Sequence, residues 1–206
     1  MLLPLLFGCA TPNVDADYRP ANDASSGAVI LSMAFSGALA GYRVWYHPFP
    51  DASPKRSFFE VGESQVLTSP FHTYDFTANG KGDLIVAKLP VGDYEIDSWS
   101  LSAGAYSSRS AEPFQIRFSV RAGRAAYIGS FRFMQTGGNF MGTTSAVVSY
   151  SDMSERDLAL AKKKWPNLAG TPIDLAIEAG LKVAKLGAGE KRAFNPPPIY
   201  VPVLGK

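Results

Sequence analysis

Period-two alternation is the strongest constraint on how this chain folds. Phe114, Ile116, Phe118 and Val120 are separated by Gln115, Arg117 and Ser119, so an extended segment puts its apolar side chains on one face and its polar ones on the other. Val29, Leu31, Met33 and Phe35 repeat the pattern, and Tyr42, Val44 and Tyr46 begin the return. Further strands are expected near 56–61, 72–77, 83–89, 93–101, 124–134 and 143–150. Short strands of this kind, each with one buried face and bounded by turn signals, predict a mainly β, antiparallel sandwich over residues 28–150. Nineteen glycines and fifteen prolines suit such a loop-rich body, and 46% hydrophobic residues supply a core.

The turns have their own chemistry. In Leu89-Pro90-Val91-Gly92-Asp93-Tyr94 the proline presets φ near −65° and the glycine follows two residues later, as in a type I turn closed by a glycine bulge. Val120-Arg121-Ala122-Gly123-Arg124 repeats the spacing without the proline, and Asn79-Gly80 is a type I′ signal. Gly92 and Gly123 are therefore expected at positive φ. The segment Leu89 to Ile96 also resembles the L-P-x-G-x-Y-x-[VIL] hairpin of transthyretin-like sandwiches, a group that includes carboxypeptidase regulatory-like domains. Gly123-Arg-Ala-Ala-Tyr-Ile-Gly129 is similar to the last hairpin of small periplasmic lipoproteins with such a body. The resemblance implies an Ig-like or transthyretin-like fold and carries no particular activity.

After Tyr150 the pattern changes. Asp152 and Glu155 have capping-box spacing, and Glu155 to Trp165 contains no Gly or Pro, which predicts a helix ending at Pro166. Thr171 and Pro172 are placed to start a second helix, with Ile173, Ile177, Leu181 and Ala184 on one face and Gly187 at its end. Residues 151–187 are thus expected as a two-helix appendix covering the sandwich. Residues 188–206, with Pro196-Pro197-Pro198 and Ile199-Tyr-Val-Pro-Val-Leu204, are expected as an extended tail that either docks on an edge of its own body or lends a strand to a partner.

The N-terminus reads as an address. An apolar run ends at Gly8 and the single cysteine, Cys9. Leu6-Phe7-Gly8-Cys9 resembles the lipobox of bacterial lipoproteins, which implies cleavage before Cys9, diacylation of its sulfur and acylation of the new amino group. Residues 1–8 are then a signal peptide, and the missing basic n-region places the true start upstream of Met1. Residues 9–27, small, polar and proline-containing, are expected as a flexible tether. One acyl chain holds marginally and three hold permanently, at about 0.8 kcal/mol per buried methylene. Ala10, in place of the aspartate that signals inner-membrane retention, implies a lipid-anchored protein of the outer membrane facing the periplasm.

Chemistry is sparse. Twenty basic and eighteen acidic residues leave +2, too little for a nucleic-acid-binding field. Two histidines and one cysteine exclude the common metal clusters, and neither a metal nor another cofactor is expected. The chain lacks a phosphate loop, a G-x-S-x-G elbow, H-E-x-x-H, C-x-x-C and S-x-x-K. His47 or His72 paired with Asp51 or Asp75 would make a general base, and Glu60 with Asp75 or Glu95 a glycosidase pair. Trp45, Trp99 and Tyr106 would stack on sugar rings if exposed. Phe140, at the tip of the 136–142 loop, and Tyr200 are further candidate partner contacts. Lys162, Lys163 and Lys164 suit a helix C-terminus. The expectation is a non-catalytic envelope protein that binds a protein or glycan or serves structurally. The alternative is a sugar-binding protein or hydrolase with its site on the sandwich loops.

Overall fold

The structure, a computed structural model, describes residues 9–37, 40–50, 56–62, 72–78, 80–139 and 142–194. The strands are β1 (Cys9–Ala10), β2 (Ser26–Phe35), β3 (Gly41–Pro48), β4 (Ser57–Gly62), β5 (Lys81–Pro90), β6 (Gly92–Ala103), β7 (Tyr106–Ser110), β8 (Ile116–Val120), β9 (Ala125–Asn139), β10 (Gly142–Ser151), β11 (Ile173–Leu175), β12 (Lys182–Val183) and β13 (Glu190–Phe194). The one α-helix among the described residues is α1 (Ser154–Lys164). A first sheet runs β1-β4-β3-β6-β7-β13 with β8 also on β6, and a second runs β12-β10-β9-β2-β5 with β11 also on β9. The protein is mainly β and sandwich-like. It is not wholly antiparallel, because β1 on β4, β2 on β9 and β11 on β9 pair in parallel.

Alternation decides what lies between the sheets. Leu31, Met33, Tyr42, Val44, Phe59, Trp99, Leu101 and Phe133 are all sealed from solvent. Phe35 stacks on Tyr42, and Phe133 meets Tyr42 and Trp99. The outer face of the second sheet is also buried, beneath α1. There the carboxylate of Asp157, fully buried, accepts from the Ser32 hydroxyl at 2.6 Å and the Tyr127 hydroxyl at 2.8 Å. Arg156 pairs with its other oxygen at 2.7 Å. Because the Ser32 proton is committed to Asp157, the Ser130 hydroxyl 2.8 Å away donates to the Ser32 oxygen. A buried charge is tolerable only when fully bonded, and this network also fixes the position of the helix on the sheet.

The helix forms as expected but one residue later than the capping box implied: its N-cap is Met153, which makes no side-chain capping bond. Asp152 Oδ1 accepts from the Ser154 amide at 2.9 Å, and Oδ2 accepts from the Gly180 amide at 2.9 Å. These bonds hold the Asp152 carboxyl below its ordinary value. The second expected helix does not form. Pairing of β10 with β9 stops at Ser151 and Ser130, which leaves Ala125 to Tyr127 without a partner on that side. Ile173–Leu175 fills the gap as β11. Gly180, at φ +74°, turns the chain, and β12 then pairs with β10. Backbone pairing thus outweighs the helical period of the segment.

Residues 11–25 depart from the expected tether. They hold little regular structure, yet the Thr11 amide donates to Phe58 at 2.9 Å, the Val14 amide to Val86 at 2.8 Å, and the Trp165 indole to Val14 at 3.2 Å. Residues 72–77 form only an isolated bridge between Phe76 and Gly82, and β7 occupies a stretch with no expected strand. The tail from 190 to 194 docks on β7, while residues 195–206 lie outside the described residues.

Gly123 sits at φ +69° and Gly92 at φ +159°, both positive as expected, although Gly92 lies near the edge of that range and an added Cβ there meets nothing nearer than 3.9 Å. Gly123→Val and Gly92→Val are each expected to cost about 1–3 kcal/mol through backbone strain, as read by denaturant melts. Burial also holds the hydroxyls of Tyr42, Tyr46, Tyr94, Tyr127 and Tyr150 above the ordinary 10.0. The unfolded chain releases these protons near pH 10 and the folded chain does not. Stability is therefore complete below pH 10.0 and falls as pH climbs from there toward the raised folded values. Circular-dichroism melts across pH 8 to 11 check this, with Tyr127→Phe flattening the decline.

Candidate functional site

Two adjacent polar side chains on one face of a strand mark the site. Along β6, Tyr94 and Ile96 point inward, but so do Trp99, Leu101 and Ala103, a slip of one residue in the alternation. The register shows its cause: Tyr46 pairs with Ile96 and Trp45 with Ser98, which leaves Asp97 as the extra residue of a bulge. Asp97 and Ser98 therefore both stand on the outer face of the first sheet.

That face is built as a lattice of rings and paired charges. The Trp45 indole donates to the Ser100 hydroxyl at 2.8 Å, and its ring lies 4.8 Å from that of Phe58. Arg43 pairs with Glu60 at 2.9 Å and lies over Phe58. Arg56 covers Trp45, pairs with Asp97 and donates to the Ser98 hydroxyl at 2.7 Å. Arg117 pairs with Glu95 at 2.9 Å and lies 4.1 Å over the Phe49 ring. Alternating signs one strand apart keep the side chains extended across the sheet. No helix among the described residues packs on this face, whereas the outer face of the second sheet is covered by α1.

His47 lies at the centre of the lattice and is buried. Its Nδ1 is 2.8 Å from the Pro48 carbonyl, so that nitrogen carries the proton, and Nε2 is turned toward Glu95 at 3.9 Å and Asp97 at 3.6 Å. Each carboxylate is already held by an arginine. The imidazole is braced among them and is not presented to solvent as a base. Asp51, its expected partner, lies outside the described residues.

His72 is placed differently. Its Nε2 is 2.9 Å from Asp83, beside a recess of about 440 Å³ that Glu60, Tyr74 and Lys164 also line. Asp75, the other expected partner, instead binds Lys164 at 2.7 Å and accepts from the Leu84 amide at 3.0 Å, which caps the edge of β5. Among the described residues no group of three His, Cys, Asp or Glu side chains could hold a metal ion.

The structure does not bring the expected aromatics together. Trp45 is half-buried on the outer face, in keeping with its phase against Tyr42, Val44 and Tyr46. Trp99 is sealed in the core, with its indole donating to the Leu186 carbonyl at 2.9 Å, so it is no ligand platform. The Tyr106 ring lies 4.8 Å from that of Phe194 on the docked tail strand. Phe140 and Tyr200 lie outside the described residues, and Cys9 is described by its backbone, in β1. Arg43, Arg56, Phe58, Asp97 and Arg117 join the site only through the folded sheet. The slip between Ile96 and Trp99 is the readable sign that this face gathers polar groups. The chain matches no protein-family model and no curated protein sequence.

Trp99 and Trp165 are buried, so Trp45 should account for nearly all quenching of the native emission by acrylamide. Trp45→Phe should abolish that fraction and leave the melting temperature within a few degrees, as checked by fluorescence and calorimetry.

Proposed function

We propose that the chain is a lipid-anchored protein of the bacterial outer membrane, facing the periplasm. It acts without catalysis, binding an envelope protein or glycan through the outer face of the first sheet, and its body is an Ig-like or transthyretin-like sandwich. The observation that carries the binding reading is the band of partly exposed Trp45, Arg43 and Arg56 around the buried Phe58 ring, which no helix among the described residues covers and which ion pairs order before any partner arrives. Tryptophan and arginine dominate the energetics of recognition surfaces, and side chains already held in place lose little entropy on binding. The anchor reading is supported by Leu6-Phe7-Gly8-Cys9, in which an apolar run and a small residue precede the single cysteine. No helix among the described residues is long and apolar enough to cross a membrane.

The second reading, a sugar-binding or hydrolytic site on the sandwich loops, is favoured by the recess beside His72, where an imidazole, carboxylates and an ammonium converge. The two readings separate by mutation. Under the first, Trp45→Ala weakens capture of an envelope component by about tenfold or more, equivalent to about 1.4 kcal/mol, and His72→Ala leaves it unchanged. The opposite pattern supports the second. Mass spectrometry of membrane-extracted protein should find the mature chain starting at an acylated Cys9, and Cys9→Ser should release it from membranes.

A further inference from the structure

Cys9 is fixed directly to the body. It pairs with Ser57 and Ala10 pairs with Phe58, the Thr11 amide donates to Phe58 at 2.9 Å, and the Thr11 hydroxyl lies 2.6 Å from that of Tyr46. Lipid attached at this residue therefore has no slack chain between it and the sandwich. The end of the sandwich that carries Cys9 must then lie at the headgroups. At this end β3 stops at Pro48, β4 starts at Ser57, and the β5–β6 hairpin turns at Val91. Three strand spacings separate β1 from β6, roughly 15 Å.

The side chains at this end suit a membrane surface. Val91 is 50% exposed and Leu175 54% exposed, two of the four large hydrophobics left in solvent among the described residues. Phe49, Leu175, Arg117 and Arg121 line one recess of about 440 Å³. Among the described residues here Asp174 pairs with Arg124, Asp23 with Lys88, and Asp93 accepts from the Ser119 hydroxyl at 2.6 Å. Arg121 is exposed and has no ion pair among the described residues. Exposed aliphatic side chains beside an unpaired guanidinium group match the junction of acyl chains and anionic phosphates.

We propose that Phe49, Val91 and Leu175, with Arg117 and Arg121, form the face that seats this protein on the phospholipid surface to which Cys9 attaches. The proposal rests on the reading that Cys9 is acylated.

The test uses the acylated full chain in vesicles of phosphatidylethanolamine and phosphatidylglycerol containing lipids brominated near the headgroup. Leu175→Trp, Val91→Trp and, as a control at the opposite end, Phe194→Trp are each made with Trp45→Phe, so that the buried Trp99 and Trp165 supply a constant background. Phe194 is 58% exposed and pairs with Tyr106, far from Cys9. Seating predicts a several-fold larger loss of emission at 175 and 91 than at 194. Equal loss at the three positions, or greater loss at 194, overturns the seating while the protein still floats with the vesicles. A chain that bears no acyl mass on Cys9 and does not float overturns the anchor, and the seating with it. Should a variant melt early, amide exchange of residues 89–93 and 172–176 in the unaltered protein replaces it. Slowing on vesicles relative to detergent supports the seating, and unchanged exchange overturns it.

Discussion

Unpaired backbone groups at the sheet edges govern how the irregular half of this chain is used. An edge strand offers a row of bare amides and carbonyls, and leaving them buried or open to other chains is costly. At β5 the Val86 amide is taken by the Asn13 side chain, the Val86 carbonyl by the Val14 amide and the Leu84 amide by Asp75. At β4 the edge is taken by β1, at β7 by β13, and at the start of β9 by β11. Glu190 reaches across to accept from the Ala146 amide at 3.0 Å. Segments whose composition suits linkers are thus bound along their length. The N-terminal stretch is the most consequential case, because edge capping brings Cys9 onto the body.

Two bulges then decide which chemistry faces which way. In β9 the register against β2 slips between Ile30 and Ser32, at Gly129 with φ +98°. A Cβ there would sit 2.6 Å from the Tyr150 ring and 2.9 Å from Ile177, so only glycine fits. Across this bulge Tyr127 and Ser130 both reach the outer side and join Ser32 around Asp157. The bulge in β6 does the same for Asp97 and Ser98 on the other sheet. One extra residue closes the second sheet against its helix. The other gathers the charged groups on the outer face of the first sheet.

Much of the body is legible because burial on one face writes itself into the sequence at period two. The strands around 42–46, 114–120 and 143–150, and the hairpin at Pro90, follow from that rule, whereas those around 28–35 and 83–89 are buried on both faces over much of their length and are legible as apolar runs between turn signals. Strand β7 escapes it since its inward residues are Ser108 and Ser110, and Ser108 is satisfied by the Thr144 carbonyl at 2.9 Å, not by apolar contact. The segment 171–187 escapes for another reason. Of the expected apolar face Ile177 is buried, Ile173 and Leu181 are half-buried and Ala184 is exposed, and whether such residues are buried from a helix or from extended chain depends on a vacancy beside β9 created by residues far away in sequence. Trp99 resembles a surface candidate only while the bulge at Asp97 is left out of its phase. At the candidate site, Trp45 is readable from its own strand, while its partners Arg56, Phe58 and Asp97 come from neighbouring segments whose register only the folded sheet sets.

On the proposed reading, the anchor at Cys9 and the binding face are linked through the geometry of strands. Cys9 lies at the strand ends, whereas Trp45, Phe58 and Arg43 lie on the broad outer face of the same sheet. A sheet seated by its strand ends stands with its strands steeply inclined to the membrane, so its outer face looks sideways, parallel to the lipid plane. Arg43 and its partner Glu60 lie further along their strands from the anchored end than Trp45 and Phe58. A partner reaching this face would meet the Trp45 ring nearest the lipid and the Arg43–Glu60 pair above it. The ion pairs that keep these side chains extended are about one strand spacing apart, close enough to be little screened at physiological salt. On the proposed reading these pairs hold the face in one shape with no helix among the described residues over it, which suits a partner carried on the same membrane surface.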